Sequence, residues 1–94
     1  MPDLRTLTAL AFERWGRAPQ LDMVAEECAE LIAALNRCKR GRVGREVVAE
    51  EAADVYITLE FVRLWLGDES VDAAIARKLE RLGKKLNANN PSAE

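Results

Sequence analysis

The sequence predicts an all-α protein built from four helices. Apolar residues recur at intervals of three and four along most of the chain, which is the spacing of one helix face. Glycine and proline interrupt this pattern near residues 16–19, 41–44 and 67, and no segment carries a strand signal. We expect helices over about 3–15, 19–39, 45–66 and 70–86. Because 49% of the residues are apolar, which is more than one small helical chain is expected to cover, we also expect the chain to self-associate.

The stretch 16–19 separates the first two helices. Pro19 suits the first turn of the second helix, because its ring fixes a helical φ and its missing N–H is not needed there. The apolar side of the first helix consists of Leu4, Leu7, Leu10, Ala11 and Trp15. The apolar seam of the second helix consists of Leu21, Val24, Cys28, Leu31, Leu35 and Cys38.

The third helix is apolar over most of its circumference. Its second face is made of small residues beside Tyr56, and a helix that is apolar on two faces is usually covered on both. We therefore expect a central helix or a subunit interface. Asp68 or Ser70 can cap the fourth helix, whose apolar stripe consists of Val71, Ile75, Leu79, Leu82 and Leu86.

Composition narrows the class of protein. The 94 residues form one small domain, predicted over 1–88, followed by a polar tail at 89–94. A net charge of −2 argues against a nucleic-acid binder, and the lack of histidine excludes common zinc sites and histidine-based catalysis. Charges near the N-terminus and within the apolar segment 55–66 argue against a signal peptide and a membrane span. We expect a cytoplasmic protein.

Two short acidic clusters lie inside the second and third helices. They are Glu26, Glu27 and Glu30 in VAEECAEL, and Glu50, Glu51 and Asp54 in VAEEAADV. Acids three apart project from one side of a helix. Glu51 and Asp54 share the apolar arc of their helix, where unpartnered buried carboxylates would be costly. Hard cations would keep such acids charged, so we expect both helices to supply ligands to Mg²⁺ or Mn²⁺.

Phosphoryl chemistry on a nucleotide fits these residue types. Mg²⁺ held by carboxylates commonly also binds substrate phosphates, and it can activate water and stabilise charge at phosphorus. Lys78 and Lys85, with Arg81 beside them, flank the stripe of the fourth helix and could contact the outer phosphates.

Simpler interpretations exist for each acid. Acidic pairs on helices are often solvated, which suits Glu26 and Glu50 at the edges of the clusters. The two interpretations are balanced for Glu27 and Glu30, whereas the apolar arc favours a functional role for the acids of the third helix. A ferritin-like di-iron bundle is excluded, because it pairs Glu with His at i, i+3.

The basic and aromatic candidates have simpler interpretations too. Lysines beside a core stripe are usually surface residues whose apolar stems cover the stripe. Trp15 and Trp65 are expected in the core, and Trp15, at a helix end, is the better candidate for stacking on a base.

The pair EECAEL and EEAADV resembles the motif of MazG-like nucleoside triphosphate pyrophosphohydrolases, which is E-x-x-E, a spacer, then E-x-x-D. The resemblance extends from ERWG and Gln20 to KLERLGKKL. The KLERL segment is similar to the corresponding segment of the short phage-type members of the family. It implies an all-α dimer or tetramer. It also implies Mg²⁺-dependent hydrolysis of a nucleoside or deoxynucleoside triphosphate to the monophosphate and pyrophosphate.

The resemblance implies roles for residues that match the motif. Glu26 would orient or deprotonate the attacking water beside Glu27, and Lys78 would contact phosphate. The metal ligands would be Glu27, Glu30, Glu51 and Asp54. Side-chain chemistry adds Trp15, Arg81 and Lys85 to Lys78, so the predicted substrate contacts are Trp15, Lys78, Arg81 and Lys85. Many relatives carry an Asn and then an Arg-Tyr pair where this chain has Leu82, Lys85 and Leu86.

Two alternatives come from other classes of protein. The first is a helical oligomerisation or adaptor module, without catalysis, in which the acids hold a structural cation. The second is a regulator that binds a nucleotide without hydrolysing it.

Overall fold

The computed structural model describes residues 3–89, and these residues form four α-helices without any strand. The helices are α1 (Leu4–Trp15), α2 (Arg17–Lys39), α3 (Arg45–Leu66) and α4 (Asp68–Asn89). The predicted all-α, four-helix fold is therefore confirmed, and α3 has its predicted bounds. α2 and α4 each begin two residues earlier than predicted, because the chain needs only one residue to turn. Asn89 belongs to α4, and the rest of the predicted tail lies outside the described residues.

Single glycines make the two sharp junctions. Gly16 follows α1 and Gly67 follows α3, each with φ near 90°, where a residue with a Cβ would be strained. The N–H of Gly16 donates to the carbonyl of Phe12 at 3.0 Å, and that of Gly67 donates to the carbonyl of Arg63 at 2.8 Å. Each helix therefore ends, and the next begins, within one residue.

α2 and α3 are the main packed pair, and α1 packs across both of them. Ala34 of α2 and Phe61 of α3 are buried, and the ring of Phe12 stacks on Phe61 with centroids 5.9 Å apart. Thr8 and Thr58 are buried as well, and each hydroxyl donates to the carbonyl four residues earlier in its own helix. The core is thus a small apolar junction of three helices in which the buried hydroxyls are satisfied locally.

α4 diverges from this three-helix body. Among the described helices its backbone approaches only α3. Its stripe is uncovered, since the exposed fractions of Ile75, Leu79, Leu82 and Leu86 range from 43% to 61%. The radius of gyration is 17.0 Å, whereas a compact chain of this length has about 12 Å. One chain therefore leaves the fourth helix of the bundle open on its apolar side.

The prediction that both tryptophans lie in the core is wrong. Trp15 is 61% exposed and Trp65 is 49% exposed. Each lies at or next to the end of its helix, just before a glycine junction where the chain turns away and leaves the indole uncovered. Trp15 instead lines an open groove on α1 with Leu7, Leu10, Ala11 and Arg14.

Two further observations concern cysteines and membranes. Cys28 and Cys38, on the apolar seam of α2, are half-buried and free. Between residues 3 and 89, none of the helices combines the length and the hydropathy that crossing a bilayer requires.

Truncating Phe61 tests where the core lies. Its ring is only 5% exposed, so we expect Phe61→Ala to lower the free energy of unfolding by about 3–5 kcal/mol. Urea denaturation followed by circular dichroism measures this change. Leu10→Ala removes an exposed side chain from α1 and serves as the control, with an expected effect within about 0.5 kcal/mol. Similar losses in both variants would mean that the core is not at Phe61.

Candidate metal centre

α2 and α3 bring three carboxylates together. Glu27 of α2 lies beside Glu51 and Asp54 of α3, and one carboxylate oxygen from each lies within 4.8 Å of the others. Glu51 and Asp54 reach the same place because residues three apart project from one side of a helix. Three of the four predicted metal ligands therefore converge, and we refer to Glu27, Glu51 and Asp54 as the acidic triad.

Glu30, the fourth predicted ligand, lies at the edge of the acidic triad. It is exposed, and its charge is close enough to Glu27 and Glu51 to raise the pKa of both. Glu26 and Glu30 line an open surface of α2 together with Arg37. Glu30 thus lies between the triad and the surface that carries Glu26, the predicted acid for the attacking water.

The acids are less buried than the apolar arc predicted. Glu51 is half-buried and Asp54 is exposed, whereas Thr58 and Phe61, further along the same arc, are buried. The reason is the length of α1. Its 12 residues span about 18 Å and cannot cover the 22 residues of α3, which span about 33 Å. The part of α3 that carries Glu51 and Asp54 therefore stays open to solvent.

Desolvation and like charges raise the pKa values of two members of the triad. Partial burial is the largest cause of the raised pKa of Glu27, followed by the charge of Asp54. Partial burial is again the largest cause of the raised pKa of Glu51, followed by the charge of Glu30. The ionised carboxylates therefore disfavour one another, and a cation between them would relieve that repulsion.

The donor set fits a hard divalent cation. All three donors are carboxylate oxygens, which Mg²⁺ and Mn²⁺ prefer. With one oxygen from each acid within 4.8 Å of the others, Glu27, Glu51 and Asp54 are the residues that would hold such a cation.

The predicted substrate contacts lie on other surfaces. Lys78, Arg81 and Lys85 line a shallow surface of α4 together with Leu82. The backbone of α4 does not approach α2, so one chain does not bring these cations to Glu27. Trp15 lies in the groove on α1, whose lining contains none of the acids of the triad.

A second charged group was not predicted. It consists of Arg5, Glu60, Arg63, Asp68 and Asp72 and joins three helices. The spacing of Glu60 and Arg63 on one helix was its only local signal. The partners of Arg5 are 55 and 63 positions away, beyond the reach of any periodic pattern.

Comparisons of this chain with protein-family models, with curated proteins and with solved structures found no match. The assignment to the MazG-like family therefore stays a prediction that rests on the two acidic motifs and their spacing.

The raised pKa values predict how stability depends on pH. A carboxyl whose pKa is higher in the folded than in the unfolded chain binds protons more readily when folded. Stability therefore falls as pH rises from the ordinary value of 4.5 through the folded value. We expect the melting temperature, without divalent ions, to decrease across this window.

Glu51→Gln should make that decrease shallower, because it removes one of the two raised groups and also relieves Glu27. Glu13→Gln, an exposed acid on α1, is the control and should keep the slope of the wild type. Identical slopes for wild type and Glu51→Gln would show that the triad does not contribute to the pH dependence.

Proposed function

We propose that the chain is a Mg²⁺-dependent nucleoside triphosphate pyrophosphohydrolase. It would hydrolyse a ribo- or deoxynucleoside triphosphate to the monophosphate and pyrophosphate. The observation that carries the proposal is the convergence of Glu27, Glu51 and Asp54 from two helices, in the order of the E-x-x-E and E-x-x-D motifs. Within residues 3–89 no lysine or arginine pairs with these three acids, so their charge is available to a cation.

The acids of α2 and α3 would have two roles, metal binding and activation of the attacking water. Glu27, Glu51 and Asp54 would hold the metal, with Glu30 at the edge as a further ligand. Bound Mg²⁺ supplies Lewis acidity at phosphorus and lowers the pKa of water. A carboxylate oxygen of Glu26, on the adjoining surface of α2, would orient the attacking water and accept its proton.

The cations of α4 would bind the phosphates that leave. Lys78, Arg81 and Lys85 form a compact basic surface suited to charge-assisted hydrogen bonds with phosphate oxygens. Since α4 of the same chain does not approach α2, this role requires α4 from another copy or a different direction of α4. Trp15, exposed at the end of α1, would stack on the base.

We propose in addition that the working form is a homodimer or homotetramer. The support is the apolar surface that one chain leaves open, which includes Tyr56 and Leu59 on α3 and the stripe of α4. Large exposed apolar patches usually mark surfaces that another molecule covers.

The same open surface favours a second candidate, a helical oligomerisation or adaptor module. In that case the triad would hold a cation that stabilises the pairing of α2 with α3. This candidate predicts binding without turnover, and the enzyme candidate predicts both.

Activity against a panel of nucleotides separates the two candidates. We expect pyrophosphate from at least one of the common ribo- and deoxynucleoside triphosphates with Mg²⁺, scored separately from orthophosphate. Glu51→Gln should lower kcat/KM by more than about 100-fold, because losing a metal ligand exceeds the loss of a supporting contact. Its neighbour Glu50→Gln, exposed and outside the triad, is the matched control.

Melting temperatures measured with and without Mg²⁺ test cation binding at the acidic triad without requiring turnover. Wild-type protein should melt at a higher temperature in Mg²⁺, and Glu51→Gln should lose most of that increase. A Mg²⁺ response without pyrophosphate would favour the adaptor module. Orthophosphate as the product would mean that a different bond is cleaved and would contradict the proposed reaction.

The oligomeric state has its own test. Sedimentation equilibrium of the wild type should show a dimer or tetramer, and Leu79→Lys should shift it toward monomer by placing a charge on the stripe. Ala73→Lys adds the same charge on the opposite side of α4 and should leave the assembly unchanged. A monomeric wild type would contradict this proposal.

A further inference from the structure

Two arginines and three acids join α1, α3 and α4 at one end of the molecule, and we refer to these five residues as the ion network. Arg5 of α1 donates from Nε to Glu60 at 2.8 Å and from Nη2 to Asp68 at 2.7 Å. Arg63 of α3 donates from Nη1 to Asp68 at 3.1 Å and lies 2.9 Å from Asp72. Asp68 is the first residue of α4, and Asp72 lies one turn later.

Apart from the ion network, few contacts determine the direction of α4 relative to α3. Gly67, its junction with α3, has φ near 90°, and no atom lies within 4 Å of the place where its Cβ would be. Val71 and Ile75 of α4 face Tyr56 and Leu59 of α3 across an open groove of about 270 Å³. Beyond Ile75 the stripe is exposed. The packing therefore leaves the angle between α3 and α4 weakly determined.

We propose that the ion network is a salt-sensitive latch that fixes the direction of α4. Asp68 accepts hydrogen bonds from arginines of two different helices, so the first residue of α4 is held from two sides. The contact of Arg63 with Asp72 adds a second point one turn along α4. Two points on one helix define the direction of its axis.

The network differs from isolated surface ion pairs, which contribute little to stability. Glu60 and Arg63 of α3 are partly buried, with 17% and 25% of their side chains accessible, whereas Asp68 and Asp72 of α4 are 50% and 63% accessible and so are open to screening by salt. Hydrogen bonds from Arg5 and then Arg63 lower the pKa of Asp68, so this carboxylate stays ionised across the neutral range. Ionic strength, which screens such charges, is therefore the variable that opens the latch.

The consequence is large because α4 is a long lever. Its 22 residues span about 33 Å, so a tilt of about 20° at Asp68 moves the far end by about 11 Å. That movement carries the apolar stripe and the row of Lys78, Arg81 and Lys85 with it. The latch does not depend on the proposed reaction, since it follows from contacts at the other end of the helix.

Distances between two spin labels test the latch. The chain would carry Cys28→Ser and Cys38→Ser, with labels at Asn36→Cys on α2 and Asn87→Cys on α4, both exposed positions. Excess unlabelled protein restricts pulsed electron paramagnetic resonance to distances within one chain. We expect a narrow distribution at low salt and a broad, displaced one in about 1 M NaCl.

Variants assign the effect to the network. Arg63→Gln should broaden the distribution at low salt and displace its mean by up to about 10 Å, since position 87 lies about 28 Å along α4 from Asp68 and a tilt of about 20° moves it by that amount. Arg63→Lys should restore it only in part, because an ammonium cannot reproduce the guanidinium fork. Lys84→Gln is the control, since Lys84 pairs with Glu80 within α4 alone.

Three results would overturn the latch. They are a wild-type distribution that salt leaves narrow, a narrow distribution in Arg63→Gln at low salt, and an equal broadening in Lys84→Gln. Circular dichroism establishes that each variant is folded, and Arg5→Gln replaces Arg63→Gln if the latter is not. The wild-type salt series decides the question even if both arginine variants unfold.

Discussion

The packing of α2 against α3 is the interaction on which the rest of the structure depends. It aligns two acidic motifs that are distant in sequence, and it provides the surface on which α1 packs. A slip of one helical turn would move the carboxylates by about 5.4 Å. That shift exceeds the 4.8 Å within which Glu27, Glu51 and Asp54 lie, so the register of this one pair determines whether the acidic triad exists.

The acidic triad places carboxylates close together where their ionised forms are unfavourable. Partial burial, followed by the charges of neighbouring acids, raises the pKa values of Glu27 and Glu51, which means that their ionised forms are disfavoured where they lie. A compact core around the triad would desolvate all three acids and make their ionised forms still less favourable. The short α1 limits this desolvation, because it covers Phe61 and leaves the triad half open. The same opening gives a cation and its water ligands access to the carboxylates.

α4 carries an apolar stripe that one chain leaves largely exposed. Within residues 3–89 only the first part of this stripe faces α3, and the backbone of α4 does not approach α2. Among residues 3–89 the buried apolar side chains are Ala34 and Phe61, so covering the stripe would add much to the apolar area that a chain of this size buries. The direction of α4 therefore decides where this stripe and the cations of α4 lie, and in the proposed latch the charges at its first turn fix that direction.

The sequence by itself determined the helices. Periodicity placed all four, the bounds of α3 were predicted to the residue, and E-x-x-E with E-x-x-D named four acids, three of which meet. These features are local, because they depend on neighbours within a turn or two of the same helix. Only the tertiary structure decided which surfaces are covered. In the folded chain Trp15 and Asp54 are exposed to solvent. The helix that carries Lys78 does not approach α2, and Arg5 pairs with Asp68. Those outcomes depend on helix lengths, on turns made by one glycine and on contacts between distant residues, none of which a periodic pattern records.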